Sequence, residues 1–369
     1  MKKNYLLLAI LVLFTLACKK TSTNSNDDPE NDIVQIYNKF IRVFIHENPG
    51  IPQNDVHFFD AKIGVSVGNS GSVFTTSNSG YSWTQSSAPN SVNIWRVYGI
   101  EKDYWFCSTI HLAENSIYKI ENNQWTNLIL PPMPENDFIE SFYFIDKSIG
   151  YISTARQHIN SYNHLIFKTE DGGITWDTVG VFGNAINKIH MFDENSGIGT
   201  SGAAILKTYD GWVNWNSVGP QELYNVYPYT YITGFATIDS QHLIAVGRAA
   251  ISLDKGFICT SSNGGSTWEY TLLEHSLCDI TVTSDKIYVC GEASYIAVCD
   301  IDLNNFSSEN IIANMDNYVC SYDSDSDFVS DSNGKEPWGG KVEFVKIQFT
   351  DDTNGFIYSD NYIFKIELQ

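Results

Sequence analysis

A short pattern that keeps returning constrains this chain most: "TSNSGYSW" at 76–83, "TEDGGITW" at 169–176, "TYDGWVNW" at 208–215 and "SSNGGSTW" at 261–268. A catalytic constellation occurs once, whereas a pattern copied along the chain belongs to a repeating architecture. The residue types suit a hairpin turn. Asp or Asn accepts bonds from turn amides, Gly supplies positive φ, and Trp buries a large apolar area while its N–H seeks an acceptor. The residues given this structural role are Asn78, Gly80 and Trp83; Asp171, Gly173 and Trp176; Asp210 and Trp215; and Asn263, Gly265 and Trp268. The copy at 208–215 carries Trp212 in place of the second Gly.

Each motif ends the third quarter of a longer unit. Strong copies cover 56–83, 139–176, 186–215 and 232–268, weaker ones 93–125 and 279–306, and a truncated one 342–369. Every unit reads as short alternating strands separated by turn residues. The first strand often ends in Asp (Asp60, Asp146, Asp193, Asp239), the third is the "IFKT" or "ILKT" run, and the fourth is expected to begin at Trp. No stretch shows helical periodicity. Four strands repeated every 40–50 residues or so predict an all-β fold, a seven-bladed β-propeller over 33–369. The last copy lacks its outermost strand. Part of 33–50, near Phe40 to His46, is expected to fill that place and close the ring.

The N-terminus reads as a processing signal over 1–17, with Lys2 and Lys3 ahead of an apolar run from Tyr5 to Ala17. That run is too short to span a bilayer as a helix. "TLAC" resembles the lipobox of bacterial lipoproteins, which implies lipidation at Cys18 and a place at the outer membrane or cell surface, a periplasm-facing site being the other option. The competing reading is a secreted protein cleaved near Ala17. Residues 18–32 are polar and lack aromatics, as a disordered tether would.

The chain has 22 basic and 43 acidic residues, a net charge of −21. Phosphate backbones demand basic patches, so no nucleic-acid partner is expected, and membrane contact is expected only through the lipid anchor. Six cysteines remain after Cys18, which permits disulfides outside the cytoplasm or, equally, buried thiols. No pair has zinc-ligand spacing. In the acidic run 316–336, Asp323, Asp325 and Asp327 alternate like the start of an EF-hand, but Phe328 and Gly334 stand where that loop needs Gly and Glu. The run is read as a solvated loop with calcium as its only candidate ligand, and no other metal or cofactor is expected.

The pattern [ST]-x-[DN]-x-G-x-x-W resembles the Asp-box, or BNR repeat. The whole unit, F-x-D…G…T-x-D-G-G-x-T-W, resembles the photosystem II stability and assembly factor family of seven-bladed propellers. The resemblance implies a protein that works by binding, and in photosynthetic members the binding surface is rich in Arg. This chain has four Arg, at 42, 96, 156 and 248, which points to a non-photosynthetic branch. The expectation is a non-catalytic cell-envelope lipoprotein that scaffolds an envelope protein or a surface glycan. The alternative is a glycan-acting hydrolase, because Asp-boxes also occur in sialidases. Gly50 rather than Arg precedes "IP" at 51–52, however, and no spacing singles out a glycosidase carboxylate pair. No catalytic residue is assigned. The candidate binding face lies on insertions: 153–164 with Arg156, His158 and Tyr162; 220–230 with Tyr224, Tyr227 and Tyr229; and 316–340 with Trp338. The three Tyr read either as an exposed platform or as packing over the blade beneath.

Overall fold

Short alternating segments become antiparallel strands because each can bury one face against the sheet before it and the other against the sheet after it. The computed structural model describes residues 33–34, 41–47, 53–109, 115–134, 137–156, 164–250, 255–273, 275–284, 286–292, 295–300, 344–359 and 362–368. The sheet joining the two chain ends begins with β1 (Ile33–Val34) and β2 (Ile41–Glu47). Blade I is β3 (Gln53–Phe58), β4 (Gly64–Gly68), β5 (Ser72–Thr76) and β6 (Thr84–Ser87). Blade II is β7 (Ile94–Glu101), β8 (Tyr104–Thr109), β9 (Ser116–Glu121) and β10 (Gln124–Asn127). Blade III is β11 (Asp137–Phe144), β12 (Gly150–Arg156), β13 (His164–Thr169) and β14 (Asp177–Phe182). Blade IV is β15 (Lys188–Met191), β16 (Gly197–Ser201), β17 (Ala204–Thr208) and β18 (Asn216–Ser217). Blade V is β19 (Tyr231–Thr237), β20 (Leu243–Ala250), β21 (Lys255–Ser261) and β22 (Glu269–Leu273), and blade VI is β23 (Leu277–Val282), β24 (Lys286–Gly291) and β25 (Tyr295–Asp300).

The end-joining sheet is completed by β26 (Phe344–Phe349), β27 (Asn354–Ser359) and β28 (Tyr362–Leu368), in the spatial order β1-β2-β28-β27-β26. β2 runs antiparallel to β28, with Ile41 opposite Leu368 and Glu47 opposite Tyr362. The chain is therefore an all-β propeller with very little helix. The expectation of a seven-bladed propeller is corrected, while the expected pairing of the N-terminal segment with the last strand is found. Six sheets are contiguous meanders, one of them with three described strands, and the remaining sheet is a five-stranded composite of the two ends. Two smaller corrections follow. The fourth strands of the motif-bearing blades start one residue after Trp, at Thr84, Asp177, Asn216 and Glu269, because Trp still belongs to the turn. A short helix, α1 (Gln221–Val226), stands where no helix was expected.

The core lies between blades. Val65, Val67 and Val73 of blade I pack with Ile94, Val97, Trp105 and Cys107 of blade II, and Tyr104 and Phe106 of blade II pack with Phe144, Ile152 and Phe167 of blade III. Burial of apolar surface at about 25 cal/mol per Å² makes these contacts the main stabilising term. The spaced Phe and Gly of the repeat have one cause. Phe58 pairs with Gly64 and Phe144 with Gly150 across the first hairpin. A Cβ on either glycine would stand 2.6 or 2.4 Å from that ring, so the aromatic lies flat over a residue without a side chain.

Candidate functional site

A four-stranded antiparallel meander puts its first and third turns at one end and its second turn and outgoing connection at the other. The recurrent motif forms the third turn, and the recurrent Asp forms the first. Both repeats therefore lie at one end of the ring, here called the turn end.

All four motif copies fold alike. The hydroxyl of Thr76, Thr169, Thr208 or Ser261 accepts the amide of the residue four places on, each at 2.9 Å. The side-chain oxygen of Asn78, Asp171, Asp210 or Asn263 accepts the amide four places further, at 3.0, 2.9, 2.8 and 2.9 Å. Gly80, Gly173 and Gly265 sit at φ of 85°, 89° and 90°, and Trp212 takes the same left-handed region at 73°. Trp212 is wholly buried, and its indole N–H points at Met191 Sδ, 3.0 Å away. The closing Trp268 donates to the carbonyl of Val218 on the preceding blade, whereas the indole N–H groups of Trp83 and Trp176 are buried without an acceptor. Thr175 hydroxyl and amide bonds hold the Asp171 carboxyl down at about 2.

The Asp repeat at the first turn does comparable work. Oδ1 of Asp60, Asp146, Asp193, Asp239 and Asp351 each accepts two consecutive backbone amides at 2.7–2.8 Å. The two turns are bolted together within each motif-bearing blade: Ser79, Gly172, Gly211 and Gly264 donate to the carbonyls of Lys62, Ser148, Asn195 and Gln241 at 2.7–2.9 Å.

Inside the ring, the inner strands β3, β7, β11, β19, β23 and β26 break register at one shared place, a β-bulge. The residues just past it, with Lys188 in blade IV, form one layer: Asp55, Arg96, Ser141, Lys188, Gly234, Asp279 and Lys346. Lys346 binds Asp55 at 2.7 Å, and Lys188 reaches past blade V to Asp279 at 2.8 Å. A Cβ on Gly234 would stand 3.2 Å from the Asp279 carboxylate, so the missing side chain keeps that path open. Asp55 also accepts the Val97 amide at 2.9 Å and Asp279 the Ile347 amide at 3.2 Å, each on the following inner strand. Below this layer, His57, Tyr98, Tyr143 and His190 run from blade to blade with ring centroids 5.3–6.2 Å apart. Burial, helped by the Lys346 charge, pushes His57 down to about 3, and burial lowers His190.

The predicted binding residues scatter between observation and silence. Arg156 ends β12, and α1 lies on the connection between blades IV and V; both are at the insertion end, opposite the turn end. Of the two readings of the three Tyr, packing over the blade holds for Tyr224 and Tyr227, and exposure for Tyr229 alone. Tyr224 and Tyr227 pack inward, the first with a buried hydroxyl 2.5 Å from where a Gly219 Cβ would stand, the second against the Leu223–Trp268 core cluster. Tyr229 is 71% exposed, beside Val226 at 57% and Tyr231 at 47%. Helix formation explains the difference, since one turn points Leu223, Tyr224 and Tyr227 at the blade. Cys18, His158, Tyr162, Trp338 and the calcium candidate 316–336 lie outside the described residues. Cys107, Cys259 and Cys290 are buried free thiols whose ionisation burial opposes.

One site escaped the sequence. At the turn end, a cavity of about 480 Å³ opens between the composite sheet and blades I and II, lined by His57, Phe59, Asp60, Glu101, Lys102 and Phe349 among others. Its residues come from three separate segments, and no local pattern announces them.

No protein-family model matches this chain, and no curated protein matches it. Solved structures do. YCF48 bound to D1 peptide has a TM-score of 0.62 at 14% identity, with 89% of this chain and 97% of that chain covered. YCF48 from Cyanidioschyzon merolae has a TM-score of 0.60 at 13% identity, over 88% of this chain and 98% of that one. An ancestral GH74 enzyme has a TM-score of 0.59 at 17% identity, covering 85% of this chain but 45% of that chain. At such identities the likeness is one of fold: this chain is a β-propeller of the same general build.

Proposed function

We propose that this chain is a non-catalytic, lipid-anchored scaffold of the cell envelope, a ring in which the composite sheet serves as the seventh blade, and that its insertion end binds an extended segment of an envelope protein. One exposed cluster carries this reading: Val226, Tyr229 and Tyr231 stand on one stretch of chain at the insertion end, whereas the exposed apolar side chains of the turn end, Ile174, Tyr209, Val213 and Ile238, are spread over three blades. The fold likeness to a propeller that holds a peptide supports a protein partner over a glycan. Lipid on Cys18 and a tether over 18–32 would hold the ring at the outer membrane or cell surface.

A glycan-acting hydrolase needs two carboxylates free to face its substrate. In the described channel layer, Asp55 and Asp279 are each taken by a lysine and by a neighbouring amide, which argues for a structural role. The test is to tag the full chain in its native cell and identify what co-purifies in mild detergent. A stoichiometric envelope protein that is lost from Tyr229→Ser/Val226→Ser, with thermal stability unchanged, is the expected result. Abundant folded protein without such a partner, or cleavage of an envelope glycan, would overturn it.

A further inference from the structure

The cavity at the turn end is built from groups that match one ligand chemistry. Phe59 meets His57 edge-on at 5.0 Å and supplies an aromatic wall, whereas Phe349, also in the lining, is stacked on Tyr288 at 3.7 Å. His57 makes no hydrogen bond among the described residues, and at about 3 its pKa leaves the imidazole neutral. Gln348 lines the cavity with both its amide atoms already tied to the main chain of Phe58, at 3.0 and 2.7 Å. Glu101 is held by Lys147 at 2.9 Å.

Asp60 is different. Its Oδ1 receives the amides of Lys62 and Ile63, both at 2.7 Å, and its Oδ2 receives nothing among the described residues. In three of the four sister turns that second oxygen is occupied, by Ser196 on Asp193, by His242 on Asp239 and by Asn354 on Asp351, while Asp146, like Asp60, accepts only through Oδ1 among the described residues. The turn that opens into the cavity thus keeps an unengaged anionic oxygen beside the Phe59 ring and the neutral His57 imidazole.

We propose that this cavity binds an alkylammonium or guanidinium cation, carried by a free amine or by a Lys or Arg side chain of a partner. Cations sit favourably over aromatic faces and bond strongly to carboxylates. The volume falls in the range of small-ligand sites. The chain's net charge of −21 raises the local concentration of cations. Lys102 is the like charge in the lining and opposes binding.

Calorimetric titration of the full chain with butylamine, butylguanidinium and N-acetyl-lysine methylamide tests this. Saturable, salt-sensitive binding is expected. Asp60→Asn keeps the turn acceptor but removes the charge, and should weaken binding about tenfold. Phe59→Leu should also weaken it, and Lys102→Ala should strengthen it, with Asp60→Asn and Lys102→Ala at unchanged melting temperature. No saturable binding by the wild type, or equal affinity in Asp60→Asn and Phe59→Leu, overturns the site. A lysine-bearing peptide that binds more than about tenfold tighter than the capped residue assigns the cation to a partner's side chain, and equal affinities assign it to a free amine.

Discussion

Asp and Asn trade places in the recurrent turn because the residue four positions on can reverse its role. Thr175 donates its hydroxyl to the Asp171 carboxylate at 2.6 Å, whereas the amide of Asn263 donates to the Thr267 hydroxyl at 2.7 Å. Asp171→Asn is therefore expected to fold normally and to flatten the acid limb of the stability curve. The sign follows from the depressed carboxyls. Asp171 and Asp239, both near 2, contribute stability that is complete above about pH 4 and is lost as pH falls towards 2. Melting temperature against pH, wild type beside Asp171→Asn, checks both statements. Trp212 is the opposite case. Its left-handed backbone costs about 1 kcal/mol, but its buried indole is worth more. Trp212→Gly should cost about 3–5 kcal/mol in denaturant unfolding despite restoring the glycine of the sister turns.

Among the elements, the inner strands and the two chain ends decide how the ring holds. Lys346 neutralises Asp55, which is 4% exposed, so Lys346→Met leaves a buried carboxylate with amides alone. A loss of about 3 kcal/mol is expected. The same change removes the cation that helps depress His57, so its imidazole should titrate above its present value of about 3, readable by proton NMR. Deleting 33–47 strips the composite sheet of the strand paired with β28 and bares a sheet edge. Self-association in sedimentation and a broadened thermal transition are the expected outcomes.

The strand pattern was readable because each unit encodes its own turns, and the shortfall after the third strand of the last copy pointed to the N-terminal segment. Register within the channel was not readable. Lys188 and Asp279 stand in different blades, and nothing near either residue names the other.

At the scale of the whole molecule, the two ends of the ring differ in kind. The turn end is bolted by repeated Asp, Asn and Gly, and substitutions there that remove a turn's side-chain acceptor or its positive-φ glycine should act on stability. The insertion end carries Tyr229 in the open and Tyr224 and Tyr227 packed inward. Tyr229→Ala should therefore weaken partner capture at unchanged melting temperature, while Tyr224→Ala and Tyr227→Ala should lower the melting temperature.

By itself the sequence determined the all-β repeat, the turns and the manner of closure, because these depend on alternation, positive φ and side-chain capping within a few residues. Only the tertiary structure decided that the contiguous blades number six. It alone turned two tyrosines inward, and it alone brought His57, Asp60, Lys102 and Phe349 around one cavity. Those outcomes depend on which segments meet across the ring, and contact between distant segments leaves no local pattern to read.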